Sequence, residues 1–302
     1  MIAVVGSLNQ DLTVAVRRLP APGETVPGGP PVARPGGKGA NQAVAAARAG
    51  GTVTMIGRVG DDPEGTAMIA SLRAEGVDTA HVRLTAGVPT GRALITVDEH
   101  GENSIVVSPG ANGSVTALDV EAAAPVLRRA DVTLFQREVP DAAGRTAARL
   151  SGGLILYNPA PADVTGDIPP GTDLVIPNRV ELATLARTPV PATLDQVVAA
   201  ARRLTHRADF VVTLGGDGVL LIDAASHLHL PAFPIVPIDT TAAGDTFCGA
   251  LAVALAEGRD LRAAARWAAA AAALSTTRRG ALSSSPSRAE IETLARSRAT
   301  RR

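Results

Sequence analysis

At 302 residues, with a hydrophobic fraction of 46% and aromatics at only 2%, the chain has apolar mass for one α/β core plus an appendage, and that core must be built from Ala, Val, Leu and Ile. Lysine and arginine total 29 and aspartate and glutamate 29, a balance that supplies no field to gather nucleic acid or an anionic membrane. One cysteine, Cys248, excludes an intramolecular disulfide and a thiolate zinc site, the five histidines do not cluster at metal spacing, and a reducing, cytoplasmic setting is expected.

Met1-Ile2-Ala3-Val4-Val5-Gly6 lacks the basic flank and long apolar core of a signal peptide and reads as a first strand over 2–6. Asn9 and Asp11 follow at its carboxyl end, where alternation puts both on one face toward a ligand; a turn-forming Asn-x-Asp would look the same. Residues 11–34 are rich in Pro and Gly with little helical periodicity. Gly36-Gly37-Lys38-Gly39-Ala40-Asn41 then enters a helix over 39–49. It is not a P-loop, because Gly39 follows the lysine. Its glycines permit close backbone approach and Lys38 and Asn41 offer donors to hydroxyls, although a turn with a solvated lysine accounts for the hexapeptide alone.

A strand at 52–57 and a helix at 63–75 form the next unit. Gly91 to Val97 and Asn103 to Val107 alternate around a Glu99-His100-Gly101 turn. With residues 11–34 they would form a small sheet over the carboxyl ends of the core strands, unless they are ordinary surface hairpins. Strands at 131–135, 154–157, 173–176 and 209–214 alternate with helices at 140–150, 178–186 and 193–206, and helices at 244–257, 260–276 and 288–297 follow. The pattern predicts a doubly wound α/β domain spanning 1–302, a mostly parallel sheet flanked by helices, with a β-sheet lid from about 11–34 and 90–107. The alanine-rich run Ala263 to Leu274 contains Arg266 and reads as a packed helix, not a membrane span. The tail beyond Ala281 reads as a final helix with a frayed end.

Glu138 follows the strand at 131–135 and precedes Pro140, so it can point from a strand end into a cleft. Asn178-Arg179-Val180-Glu181 has the spacing of a capping box and equally places Glu181 where a hydrated Mg²⁺ is held near phosphates. Thr213-Leu214-Gly215-Gly216-Asp217-Gly218 joins two β-like runs; a hairpin explains it, and the same backbone can lie along a nucleotide. The strongest local signal is Asp239-Thr240-Thr241-Ala242-Ala243-Gly244-Asp245-Thr246-Phe247, a loop entering a helix. Small residues at 242–244 let backbone approach a ligand, the free amides of the helix start form an anion hole, and Asp245 beside it is placed as a general base. Taken alone, a first-turn aspartate stabilised by the helix dipole is the simpler reading. Cys248 and Trp267 read as structural.

In this order the segments resemble the ribokinase family of carbohydrate kinases over nearly the whole chain, from Gly6-Ser7-Leu8-Asn9 to Arg279-Gly280-Ala281. The two signatures are Gly36-Gly37-Lys38-Gly39-Ala40-Asn41-Gln42-Ala43 and Asp239 to Phe247, while Pro22-Gly23-Glu24-Thr25-Val26 and Asn158-Pro159-Ala160-Pro161-Ala162 point to the branch that gives the family its name. The resemblance implies ATP-dependent phosphorylation of a small sugar, ribose first, with Asp245 as base and the amides of Ala242, Ala243 and Gly244 as anion hole. It implies that Asn9, Asp11, Gly37, Lys38, Asn41 and Glu138 hold the sugar and that Asn178, Glu181, Thr213, Gly215, Gly218 and Gly244 surround ATP and Mg²⁺. Asp239, Thr241, Ser275, Arg278, Gly280 and Ser284 match the family's ligands for a potassium-type ion, several through carbonyls, and a homodimer would pair through the lid strands. Two positions depart from the pattern: Ala269, which implies loose, apolar recognition of the base, and Arg137, a cation where an apolar residue is usual. A nucleoside, other furanose or hexose kinase of the same family is the nearer alternative, and a non-catalytic sugar-binding regulator the more distant one.

Overall fold

The protein is seen here as a computed structural model that describes residues 1–163, 167–204 and 208–297. Its first strand, β1 (Ile2–Val5), is buried throughout and feeds two cores, Ile2 and Val4 pointing into one and Ala3 and Val5 into the other. This is how a strand covered on both faces uses a continuous apolar run. The chain leaves the sheet through β2 (Asn9–Ala15) and β3 (Val32–Gly36), and α1 (Lys38–Arg48) returns it to β4 (Val53–Gly60); α2 (Pro63–Ala74) and β5 (Asp78–Thr85) follow. It departs again through β6 (Gly91–Val97) and β7 (Asn103–Ser108), and α3 (Ala117–Ala122) and α4 (Ala124–Arg129) lead to β8 (Val132–Phe135). Next come α5 (Asp141–Leu150), β9 (Leu154–Tyr157), β10 (Leu174–Val175), α6 (Arg179–Ala186), α7 (Leu194–Arg202), β11 (Asp209–Thr213), β12 (Val219–Ile222) and β13 (His227–Leu230). Three helices, α8 (Ala243–Ala256), α9 (Leu261–Ser275) and α10 (Arg288–Ser297), close the described chain.

Nine strands form the main sheet in the order β13-β12-β11-β10-β9-β8-β1-β4-β5, parallel except that β12 runs against both its neighbours. The helices α1, α2, α8, α9 and α10 cover one face and α3 to α7 the other. Winding starts at β1, moves out to β4 and β5, then restarts at β8 on the other side. The order therefore reverses between β1 and β8, and the carboxyl ends of those strands flank the crevice in which open α/β sheets take ligands. β2, β3, β6 and β7 make a separate sheet in the order β3-β2-β6-β7, with β2 and β6 parallel and the outer pairs antiparallel. It grows directly from the carboxyl end of β1, so its first residues reach the crevice.

All six expected core strands are present. The strand β5 escapes the sequence because it is a half-exposed edge carrying Asp78, His81 and Arg83, and β13 because its run is only His-Leu-His-Leu. The pair α3 and α4 escapes because Pro125 breaks a short stretch. The helix expected over 193–206 is α7, which ends at Arg202, and positions 205 and 206 lie outside the described residues, as does the tail after 297. The alanine-rich run lies in α9, packed on the core, and no helix among the described residues is long and apolar enough to cross a membrane.

Candidate active site

The start of α8 is made by Ala242, whose φ of 58° and ψ of 14° are left-handed. For a residue with a Cβ that conformation costs on the order of 1 kcal/mol, and here it turns the loop sharply into the helix. The first helical bond runs from the Thr246 amide to the Ala242 carbonyl at 2.8 Å. The amides of Ala242 and Gly244 have no acceptor among the described residues, whereas that of Ala243 turns back to the Thr240 carbonyl at 3.2 Å. The three-amide anion hole expected from the sequence thus has two free donors in this structure. A Cβ on Gly244 would meet nothing within 4 Å, so space is open above the helix start.

Asp245, in the first turn of α8, is 7% exposed. Each of its carboxylate oxygens accepts one amide: Asn41 Nδ2 donates to Oδ2 at 2.9 Å and Gln42 Nε2 to Oδ1 at 2.9 Å. Both donors sit in the first turns of α1, which enters from Gly37 at φ 89°, a value that favours glycine, under backbone so close that a Cβ there would lie 2.8 Å from the Asn9 amide nitrogen.

The opposite wall is built from strand ends. Glu138 accepts the Lys38 amide at 3.0 Å and the Ser7 hydroxyl, and Ser7 Oγ accepts the Gly39 amide at 3.2 Å, so one carboxylate fastens the glycine-rich turn to the ends of β1 and β8. Asn9 is buried, its Oδ1 accepting from Asn112 Nδ2 at 2.7 Å, while Asn112 also brackets the Leu8 backbone with bonds of 2.8 and 3.1 Å. Asp11 lies on β2 over Gly36, where a Cβ would stand 2.0 Å from its carboxylate. Burial, reinforced by the charges of Glu138 and Asp245 and opposed by Lys38, pushes the Asp11 carboxyl up to about 7. Lys38 is held above its ordinary value chiefly by Asp245, against the effect of its own burial. The four charged groups are thus one electrostatic unit.

A cleft of about 190 Å³ runs from this unit toward β11, lined among others by Lys38, Asn178, Glu181, Thr213, Gly244 and Asp245. Asn178 and Glu181 do form a capping box: Asn178 Oδ1 accepts the amides of Val180 and Glu181, each at 2.9 Å, and Glu181 Oε2 accepts the Asn178 amide at 2.8 Å. The cap uses the single oxygen of Asn178 and Oε2 of Glu181, leaving Glu181 Oε1 for the cleft, and burial raises the Glu181 pKa. Thr213 is tied to Pro177 by its amide at 2.9 Å. Gly215 and Gly218 shape the turn between the antiparallel β11 and β12, beyond the residues that line the cleft. Ala269 packs in α9 against the core.

Behind the helix start, Asp239 Oδ1 accepts the Thr241 amide and Oδ2 the Gly280 amide, both at 2.9 Å. Burial opposes ionisation of Asp239, but these amide bonds prevail and lower its pKa. The hydroxyls of Ser275 and Ser284 donate to the carbonyls of Ala272 and Ala281, each at 2.8 Å, and the Arg278 side chain pairs with Glu290, so Arg278 has only its carbonyl to offer. Arg48 ties this loop to α1: its Nη1 donates to the carbonyls of Ser283 and Ser285 at 3.0 and 2.9 Å while Nε and Nη2 grip Glu75 at 2.7 and 2.6 Å.

Ser7, Gln42, Asn112, Gln136, Asn158 and Arg48 hold the site together, yet none was singled out for a role by the sequence. Gln42 and Asn158 stand inside quoted motifs, and Gln136 shows only a polar residue at the end of a buried strand. Arg137 is a local tie, bound to Asp163 and to Asp141 at 3.0 Å.

The family model described as pfkB family carbohydrate kinase matches residues 1–288. The chain is 39% identical over 297 residues to the ribokinase of Bacillus subtilis, covering 97% of this chain and 98% of that one, and 36% identical over 293 residues to the deoxyribokinase of Salmonella typhi, covering 95% of each. Its structure resembles that of Arabidopsis thaliana ribokinase complexed with ribose and ATP, with a TM-score of 0.87, 32% identity, and 97% of this chain and 98% of that chain covered.

Proposed function

Because the chain belongs to the pfkB family of carbohydrate kinases and is an ATP-dependent carbohydrate kinase, we propose that its acceptor is D-ribose, phosphorylated at the 5-hydroxyl, and that Asp245 is the base. The observation that carries this reading is Asp245 in the first turn of α8, beside free amides, with both oxygens fixed and the charges of Lys38 and Asp11 close enough to be felt. As the sugar oxygen attacks the terminal phosphorus of ATP, its proton passes to Asp245, and the amides of Ala242 and Gly244, with Ala243 once released from Thr240, face the charge on the transferring group. ADP leaves and the proton is lost to solvent.

In this reading Asn9, Asp11, Gly37, Lys38, Asn41 and Glu138 orient the sugar, and Asn178, Glu181, Thr213, Gly215, Gly218 and Gly244 surround the nucleotide. The uncommitted Glu181 Oε1, on a residue that lines the cleft, fits a carboxylate that would hold hydrated Mg²⁺, an ion that neutralises phosphate charge. Asp239, Thr241, Ser275, Arg278, Gly280 and Ser284 supply oxygen donors only, a set that fits K⁺, whose charge would steady the loop before α8. The β2-β3-β6-β7 sheet acts as a lid, and two chains pair through it, a reading supported by exposed Ile105, Val106 and Val107 on the edge strand β7. The single cysteine accords with a cytoplasmic enzyme.

The 36% identity to a deoxyribokinase supports 2-deoxyribose as a second acceptor. Coupled ADP release measured with ribose, 2-deoxyribose, fructose and nucleosides, with the position of the phosphate determined, tests both readings. Turnover confined to a nucleoside or a hexose would overturn them.

A further inference from the structure

Gln42 is fully buried and Gln136 is 2% exposed, so neither meets a sugar. A carboxylate accepts hydrogen bonds and does not donate, so the Gln42 atom facing Asp245 Oδ1 is Nε2. Its second hydrogen goes to Asn158 Oδ1 at 3.1 Å, and Asn158 Nδ2 in turn donates to the Ile176 carbonyl at 2.8 Å. Gln42 Oε1 accepts from Gln136 Nε2. Every polar atom of the Gln42 side chain is therefore used, and only one of its two amide orientations satisfies them all.

Gln136 keeps this arrangement at a cost. Its Oε1 is buried with no donor among the described residues and lies 2.0 Å from where a Cβ on Gly6 would stand. A buried side-chain amide normally pairs both its oxygen and its nitrogen. Here the oxygen is left unpaired while the N–H is spent on Gln42. An amide turned the other way would give Gln42 no donor and release it to turn its own oxygen toward Asp245.

We propose that Gln42, locked in one orientation by Gln136, is a positioning residue that aims the Asp245 carboxylate at the sugar hydroxyl. The proposal rests on Asp245 being the base. Asn41 and Gln42 each occupy one lone pair, one on either carboxylate oxygen, and fix its plane, leaving the second lone pair of each oxygen to take the incoming proton.

The test uses the full chain with ribose as acceptor and compares Gln42→Met, Gln136→Met, the double variant and Asp245→Asn. Gln42→Met is expected to lower kcat by roughly 10–100-fold with KM for ribose and ATP within about twofold of the parent. Gln136→Met, which frees the Gln42 amide to rotate, is expected to lower kcat by about three- to tenfold. The double variant should be no slower than Gln42→Met, since Gln136 acts only through Gln42. Unchanged kcat in Gln136→Met, losses that multiply in the double variant, or losses that appear in KM alone overturn the proposal. If Gln42→Met does not fold, Gln136→Met carries the test by itself. An inactive Asp245→Asn beside a fully active Gln42→Met defeats positioning only, whereas a fully active Asp245→Asn defeats the base assignment beneath it.

Discussion

A Cβ on Gly249 would stand 2.5 Å from the Gln42 carbonyl oxygen and 2.8 Å from the Ala46 amide nitrogen. The helices α1 and α8 therefore touch backbone to backbone one turn beyond Asp245, and this contact brings Asn41 and Gln42 within reach of its carboxylate. Gly249→Ala must push the helices apart or shift one along the other. The expected cost is about 1–3 kcal/mol of stability, read by denaturant unfolding, together with a fall in kcat larger than any rise in sugar KM. A variant with parental kcat would show that the contact does not set the site geometry.

Replacing Asp245 by Asn keeps the shape and removes the proton acceptor. Turnover is expected to fall by roughly 10²–10⁴-fold, while calorimetric titration still detects ribose binding. Near-parental turnover would exclude Asp245 as base.

The sequence revealed the parts of the site that lie on one continuous segment and concealed those assembled across segments. The strand β1 and the start of α8 are legible because an apolar run and a small-residue loop each meet a polar motif within a few residues. Gln136 is different: it reaches Gln42 because β8 lies beside β1 in the register that opposes Phe135 to Val5, which places it against Gly6. No local pattern specifies that register. Asn112 likewise acts on Leu8 and Asn9 from more than a hundred residues away. The second sheet was legible as β6 and β7, whose residues alternate around a turn, but β3 runs Val-Ala-Arg-Pro-Gly and owes its extension to pairing with β2. The expected helix-start amides are present, yet the bond from Ala243 to Thr240 depends on the left-handed Ala242, a conformation alanine does not advertise.

The Asp11 carboxyl, raised to about 7, gives a pH dependence of definite sign. Sugar hydroxyls need its ionised form as acceptor, so kcat/KM for ribose should fall as pH drops below about 7, while kcat falls less because bound sugar favours the ionised form. Asp11→Asn should abolish that limb and leave kcat/KM low and flat. Stability should respond in the opposite sense. The folded chain holds the Asp11 proton between about 4 and 7, where the unfolded chain has lost it, so this group's contribution declines as pH rises through that window. Asp11→Asn is therefore expected to raise the melting temperature more at pH 8 than at pH 5. An equal shift at both would contradict a raised Asp11 pKa.

A cation at Asp239 would be served by a loop that Arg48 holds from outside, through the carbonyls of Ser283 and Ser285 on either side of Ser284. Potassium is expected to raise turnover over a buffer with only tetramethylammonium, and to raise the melting temperature in proportion to the logarithm of its concentration once the site saturates. Arg48→Met leaves all the proposed ligands in place but frees that loop from α1 and from Glu75. The variant should need about 10–100-fold more potassium for half-maximal activation, the range seen when partners that orient metal ligands are removed, with ribose KM at saturating potassium close to the parental value. Equal activity in the two buffers would remove the cation from the reading, and an unchanged potassium requirement in Arg48→Met would show that the loop holds its form without α1.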